Sequence, residues 1–385
     1  MRSPLRRRSA ALLGIAAFVF LPAASASQVL EFRGQASAWL ILPFRAGATS
    51  ELGFRYVPAF AFRSSISSSV RIDAEFAVNA FAAADLGRGF PGNARGRAKP
   101  YRLWARVHGP RFEARLGLQK LSFGSASLLR PLMWFDRLDP NDPLQLTDGA
   151  WGGLARYWFR GGMNVWLWGL YGNNEVKGWE TFPTASRTPE VGARVELPAG
   201  PGDLAFSVHR RSIDPVRSPF IPVAGEPGRV PELRLALDGK WDLGAGLWFE
   251  AVLVRQDFKT FPLRYQRMIG LGADYTFALG QGLYALTEHL VAESSTQTFS
   301  RGQRASFTAA SLGYPLGLLD QVRAMVFYSW EIKNWYRFLV WQRTYDRWSF
   351  HFIAFWNPES YGLFNLSGTS PFSGRGVELA IVYTH

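Results

Sequence analysis

The chain contains no cysteine. That absence excludes a disulfide framework, a thiolate metal site, a catalytic thiol and covalent haem attachment through C-x-x-C-H. Lysine is scarce, supplying six of the 43 basic residues, with arginine supplying the rest. The five histidines are His108, His209, His289, His351 and His385, and no two have metal-ligand spacing. Neither G-x-S-x-G nor H-E-x-x-H occurs, so no familiar hydrolase or metalloprotease motif is available. Charged residues are only 19% and apolar residues 48%, which excludes a disordered polyelectrolyte. No stretch has the 18 uninterrupted apolar residues of a membrane-spanning helix.

What the chain does have is 385 residues, 38 glycines, 15 tryptophans and a formal charge of +13. Such a length suits two soluble domains or a single all-β barrel. Residues 1–26 carry Arg2, Arg6, Arg7 and Arg8, an apolar run over 10–24, and Ala24-Ser25-Ala26 as a small-residue cleavage site. That pattern predicts a secretory signal peptide, since the apolar run is too short to span a bilayer. Removing its four arginines lowers the charge to about +9, and export argues against nucleic acid as a partner.

From residue 27 onward the period is two. Val70, Ile72, Ala74, Phe76, Val78 and Ala80 oppose Arg71, Asp73, Glu75 and Asn79; Leu30, Phe32, Gly34, Ala36 and Ala38 oppose Glu31, Arg33, Gln35 and Ser37. Between 29 and 385 the chain divides into about 18 such segments of about 8 to 13 residues, each closed by Gly, Pro, Asn or Asp. The faces of 281–293 and 304–314 are ambiguous, so the range is 16–18. The sequence predicts an all-β fold: one transmembrane antiparallel up-and-down barrel over 27–385, with the apolar face toward lipid and the polar face lining a lumen. Trp158, Trp179, Trp241, Trp248, Trp335 and Trp356 near segment ends are expected in interfacial girdles. Val377, Leu379, Ile381, Tyr383 and His385 alternate to the last residue, resembling the terminal strand read by the barrel-insertion machinery, although an aromatic residue normally stands where His385 does.

One segment, residues 124–149, has no sustained alternation. Its Leu128, Leu129, Leu132, Met133, Trp134 and Phe135 call for burial, either folded inward to constrict the pore or as an outer cap or a plug. Arg130, Trp134, Asp136, Arg137, Asp139 and Asp142 are its candidate site residues. Its aspartates could suit a hard cation, but they lack EF-hand spacing and Asp-Pro pairs form turns, so no metal or other cofactor is expected.

The run Arg115-Leu116-Gly117-Leu118-Gln119-Lys120-Leu121-Ser122-Phe123-Gly124, followed by Trp134, Phe135, Asp136 and Asp139-Pro140, resembles outer-membrane porins of the alginate-export and related substrate-channel type. Leu118 stands where that type usually has arginine. The resemblance implies an outer-membrane barrel of about 18 strands with a basic lumen that conducts an anionic solute.

The candidate lumen residues are Arg71, Asp73, Glu75, Arg102, Trp104, Arg106, Arg111, Glu113, Arg115 and Gln119. Arg102, Arg106, Arg111 and Arg115 promise net attraction for anions because Glu113 alone opposes them. Passage of small anionic or carbohydrate solutes is the leading reading. One alternative is a sheath for a partner such as an electron-transfer cytochrome or an export complex. Another is a membrane-embedded hydrolase built on Ser207 and His209, although no enzyme activity is expected. The partners expected are outer-membrane lipid, the solute and the insertion machinery.

Overall fold

The computed structural model describes residues 28–45, 47–87, 92–136, 146–359 and 372–385. Residues 1–26, with the expected signal peptide, lie outside them. Eighteen strands follow one another: β1 (Gln28–Pro43), β2 (Ser50–Ser65), β3 (Arg71–Leu86), β4 (Ala94–His108), β5 (Phe112–Gln119), β6 (Ala150–Trp158), β7 (Asn164–Tyr171), β8 (Pro189–Pro198) and β9 (Gly202–Ile213). The second half of the wall is β10 (Val230–Asp242), β11 (Gly246–Gln256), β12 (Tyr265–Phe277), β13 (Leu283–Ser295), β14 (Gln303–Pro315), β15 (Asp320–Ser329), β16 (Asn334–Thr344), β17 (Trp348–Trp356) and β18 (Arg375–Thr384). Each strand pairs antiparallel with the next in sequence, and β18 pairs back onto β1, so no edge is left open. The barrel expected from the period is therefore present with 18 strands.

The first three strands run to 16 residues, longer than the segments read from the sequence. The two ends of the barrel differ. One carries the short turns at 66–70, 109–111, 159–163, 199–201, 243–245, 278–282, 316–319 and 345–347, and both ends of the described chain. The other carries the connections at 120–149, 172–188, 214–229 and 357–374. Short turns on one side and long loops on the other is the usual build of an outer-membrane barrel.

The outer face is apolar and open. Leu30, Phe32, Phe54, Phe76, Leu116, Leu167, Val191, Ile269, Leu271 and Leu312 are all exposed large hydrophobic side chains. A continuous surface of this kind needs lipid against it. Closure at the seam includes the last residue: His385 exchanges backbone hydrogen bonds with Gly34, and its ring lies among Phe32, Tyr56 and Tyr383. It occupies the place of an aromatic side chain in that belt and accepts or donates a bond with the Tyr56 hydroxyl at 3.1 Å.

The tryptophans do not all sit where the sequence placed them. Trp335 and Trp356 are exposed on the outer face. Trp248 is buried on the inner face under the Lys240 ammonium, and Trp179 packs inside against Phe307. Trp158 shares the inner parity of Leu154 and Arg156 on β6. Inside the filled barrel Trp179 satisfies its N–H on the Arg130 carbonyl at 3.0 Å, whereas the Trp248 indole N–H has no partner among the described residues and its ring is held under the Lys240 cation.

Candidate functional site

The inner wall has two unlike halves. On β12 to β17 the inward side chains include Met268, Leu290, Ala309, Met325, Phe327, Tyr336, Phe338, Ile353 and Phe355, each no more than 5% exposed. Where the segment after β5 lies against them these strands are largely apolar on the inner face as well, with Glu288, Arg323 and His351 among the inward exceptions, which departs from the polar lumen expected all round. On β1 to β6 the inner face is charged and partly open: Arg33, Arg63, Arg71, Arg95 and Arg97 are exposed and Arg106 is part-buried, while Arg111, expected on a strand, is exposed in the 109–111 turn.

The connection from β5 to β6 explains the difference. Leu121, Phe123, Leu129, Leu132, Trp134 and Phe135 form one buried cluster with the inner residues of β7 and β11 to β17, a set of neighbours available only inside the barrel. The described residues 121–136 thus pack against the inner wall; residues 137–145, with the candidates Arg137, Asp139 and Asp142, lie outside the described residues. Two wall carboxylates hold it. Glu288 on β13 accepts the backbone N–H groups of Ser127, Leu128 and Leu129 at 2.6, 3.0 and 2.6 Å. Glu250 on β11 accepts those of Ala126 and Leu132 at 2.8 and 3.1 Å. These bonds satisfy buried donors that an irregular segment would otherwise leave bare.

Glycines make room for the docked segment. A Cβ at Gly270, beside Glu250 on the next strand, would come within 3.0 Å of Pro131, and Gly124 turns at φ +92° directly against the Glu250 carboxylate. Arg130 donates to Ser122 at 3.1 Å, and its carbonyl accepts the Trp179 indole at 3.0 Å, which ties in the 172–188 loop. Asp136 is 1% exposed beside Arg130; burial pushes its carboxyl above the usual range, against the opposing pull of the Arg130 and Lys120 charges.

The lumen candidates divide by what surrounds them. Arg106 pairs with Asp73 and, at 3.6 Å, with Glu113, which also accepts Arg115 at 2.9 Å. Asp73 lies 3.1 Å from His108, and Glu75 pairs with Arg33 at 3.3 Å. Trp104 sits between Arg115 and Arg106, whose guanidiniums lie 4.8 and 5.6 Å from its ring centroid. Arg102 is buried, donating to the Thr147 carbonyl at 3.0 Å over the Tyr101 ring. Gln119 is fully buried and donates to the Gly152 carbonyl at 3.0 Å, so it braces the wall and does not meet open lumen. Arg71 and Arg111 have no carboxylate within ion-pair distance among the described residues.

Several residues escaped the sequence reading. On β4 the register shifts between Ala77 and Val78 of the neighbouring strand, opposite the Pro100-Tyr101 step. The extra residue flips parity, so Arg95, Arg97 and Lys99 share the inner face with Arg102, Trp104, Arg106 and His108. Their partners are inner-face or loop carboxylates: Glu51 for Arg95 at 2.6 Å, Glu175 for Arg97 at 3.6 Å and Asp148 for Lys99. Pro100 was the available signal, because proline cannot donate to a ladder and marks bulges. Arg156, stacked 3.5 Å from the Trp166 ring centroid, was also missed.

Ser207 and His209 do not form a nucleophile and base. The Ser207 hydroxyl accepts Arg194 at 3.1 Å, while His209 uses one ring nitrogen with the Trp168 indole at 3.1 Å and the other with Glu190 at 3.2 Å. Both are buried within the charged network of β8 to β10, in which Arg194 holds Asp238 through two bonds and Arg211 and Arg234 share Glu232 and Glu180.

No family model matches the chain, and no curated protein matches it in sequence. Solved structures do. OccAB4 of Acinetobacter baumannii superposes with a TM-score of 0.55 over 93% of this chain and 98% of its own, at 8% identity. OccK7 of Pseudomonas aeruginosa gives 0.52 over 94% and 99%, at 11% identity. At such identities the likeness fixes the fold, a closed outer-membrane barrel of the porin architecture.

Proposed function

We propose that the protein is an outer-membrane channel for small solutes, selective for anions or for carbohydrates that bear negative charge. The observation that carries this reading is the contrast inside the wall: the part left open by the docked loops is the basic part. Along β4 the inward Arg95, Arg97, Lys99, Arg102, Arg106 and His108 form a row from the long-loop end to the short-turn end, with Arg71 and Arg111 exposed at its lower rim. Several of these charges are matched by acids, yet Arg71, Arg102, Arg111 and Arg156 face no carboxylate within ion-pair distance among the described residues. A basic strip in a narrow aqueous passage raises the local concentration of anions and repels cations.

The inward segment 121–136 would narrow the passage and press the solute path against this strip. The Trp104 and Trp166 faces, already loaded with guanidiniums, keep those cations in fixed orientation beside the path. A sheath for a haem protein finds less support, because the chain's own loops occupy the interior that such a partner needs.

Purified protein in a planar bilayer under a potassium chloride gradient tests the reading. A reversal potential of the chloride-selective sign is expected, and Arg106→Gln with Arg71→Gln should move it toward zero. Cation selectivity, or a bilayer that stays silent with folded protein inserted, would sink the proposal.

A further inference from the structure

The outer face carries its own arginines, and all but one of those on strands lie at the long-loop end. Arg210 stands between the buried inward His209 and Arg211, so it points out; Arg337 stands likewise between Tyr336 and Phe338. Arg255 follows the inward Val254, Arg267 precedes the inward Met268, and Arg304 lies across from Glu293, as Arg267 does on the other side. Arg375 pairs in register with Trp356, which pairs on its other side with Arg337. These six residues form a belt around the half of the barrel from β9 to β18.

The belt is under-neutralised. Arg255 pairs with Asp257 at 3.0 Å and Arg267 with Glu293 at 2.9 Å. Arg210, Arg304, Arg337 and Arg375 are exposed and have no carboxylate within ion-pair distance among the described residues. Exposed aromatics share its level: Trp356 lies in register with Arg337 and Arg375, and Trp335, with Tyr328 packed 4.7 Å from it, stands two residues nearer the long-loop rim on β16. The opposite rim is built differently. Its outward positions are aromatic pairs such as Tyr157 with Phe159, Tyr275 with Phe277 and Trp348 with Tyr383. The strand arginine on that rim, Arg343, is paired with Asp320.

An exposed guanidinium standing among the interfacial aromatics of a barrel rim reaches headgroup depth, where the matching ligand is an anionic headgroup. Its planar fork suits phosphate oxygens two at a time. An asymmetric belt implies an asymmetric bilayer whose phosphates are dense in the leaflet facing the long loops. We infer that this belt docks the phosphate groups of the glycolipid in that outer leaflet. The inference rests on the membrane-spanning fold and is independent of which solute passes through the lumen.

The test uses the folded full barrel in phosphatidylcholine nanodiscs doped with bisphosphorylated lipid A, with retained lipid counted by native mass spectrometry after detergent exchange. Wild type should retain lipid A and discard its dephosphorylated form. Retention should fall by at least about tenfold when Arg210, Arg304, Arg337 and Arg375 are all changed to Gln, and by less for Arg337→Gln with Arg375→Gln alone. Heat-dependent gel mobility checks folding, and the double variant serves if the fourfold one does not fold. Equal retention by variant and wild type, equal retention of the dephosphorylated lipid, or displacement by millimolar inorganic phosphate would each overturn the assignment to a lipid headgroup.

Discussion

Glu288 illustrates how one side chain sets the interior. It accepts three consecutive amides of the inward segment, that of Leu129 buried and those of Ser127 and Leu128 part-buried. In Glu288→Ala those donors lose their partner, and each bare buried amide costs roughly 1–3 kcal/mol. The docked state should weaken by on the order of 3 kcal/mol, enough to let the segment leave the wall for an appreciable fraction of time. Hydrogen exchange of 126–132 should rise by two orders of magnitude or so while the exchange of β13 stays unchanged. Glu288→Gln keeps one acceptor oxygen and should fall between the two. If all three proteins exchange alike, the carboxylate is not what fixes the segment. Nothing in the local sequence announced this role, because an isolated glutamate on an alternating strand reads the same whether it meets water or a backbone.

At the scale of elements, legibility followed exposure to a single solvent. On β3 one face meets lipid and the other carries Arg71, Asp73 and Glu75, so the period of two was plain and its parity held. On β13 and β14 lipid lies on one side and the docked segment on the other, so Leu290, Phe307 and Ala309 face inward while Glu293, Arg304 and Thr308 face outward and the usual polarity of the two faces is blurred; those were the strands that could not be phased. β4 was phased for its lower half and left unread above Pro100, where the bulge inverts parity. Loop-to-loop ties were not legible either. Glu226, in the connection after β9, accepts the amides of Lys259, Thr260 and Phe261 in the connection after β11. Desolvation pushes its carboxyl up, but those N–H groups outweigh the effect and hold it at about 2, below its ordinary 4.5. Because the docked value is depressed, the tie is fully present above about pH 4.5 and is lost as pH falls through about 2. Fluorescence from a probe placed at residue 260 should therefore stay constant from neutral pH to about 4.5 and change below it, with Glu226→Gln already shifted at pH 7. A transition centred near 6 would point to some other group.

For the whole molecule, the same arrangement that hides the apolar half of the interior concentrates the field of the basic half. Charges are screened over about 8 Å at physiological ionic strength, so an arginine wall governs a narrow passage beside it and has little hold on the centre of an empty 18-stranded barrel. Selectivity and loop docking are thus coupled through width alone. Gln119 and Ala150 are already cross-strand partners, so residues 120–149 can be replaced by a tight Asn-Gly turn without pulling β5 and β6 apart. The shortened barrel exposes the inner surface around Phe327, Phe355 and Leu290 to water and should be less stable than the parent, though still closed by the same 18 pairings. Its single-channel conductance should rise several-fold while its anion-to-cation permeability ratio falls toward unity. A rise in conductance with undiminished selectivity would mean that the arginines act at the rims, before the solute reaches the level of the loop; no rise at all would mean that the inward segment does not bound the path.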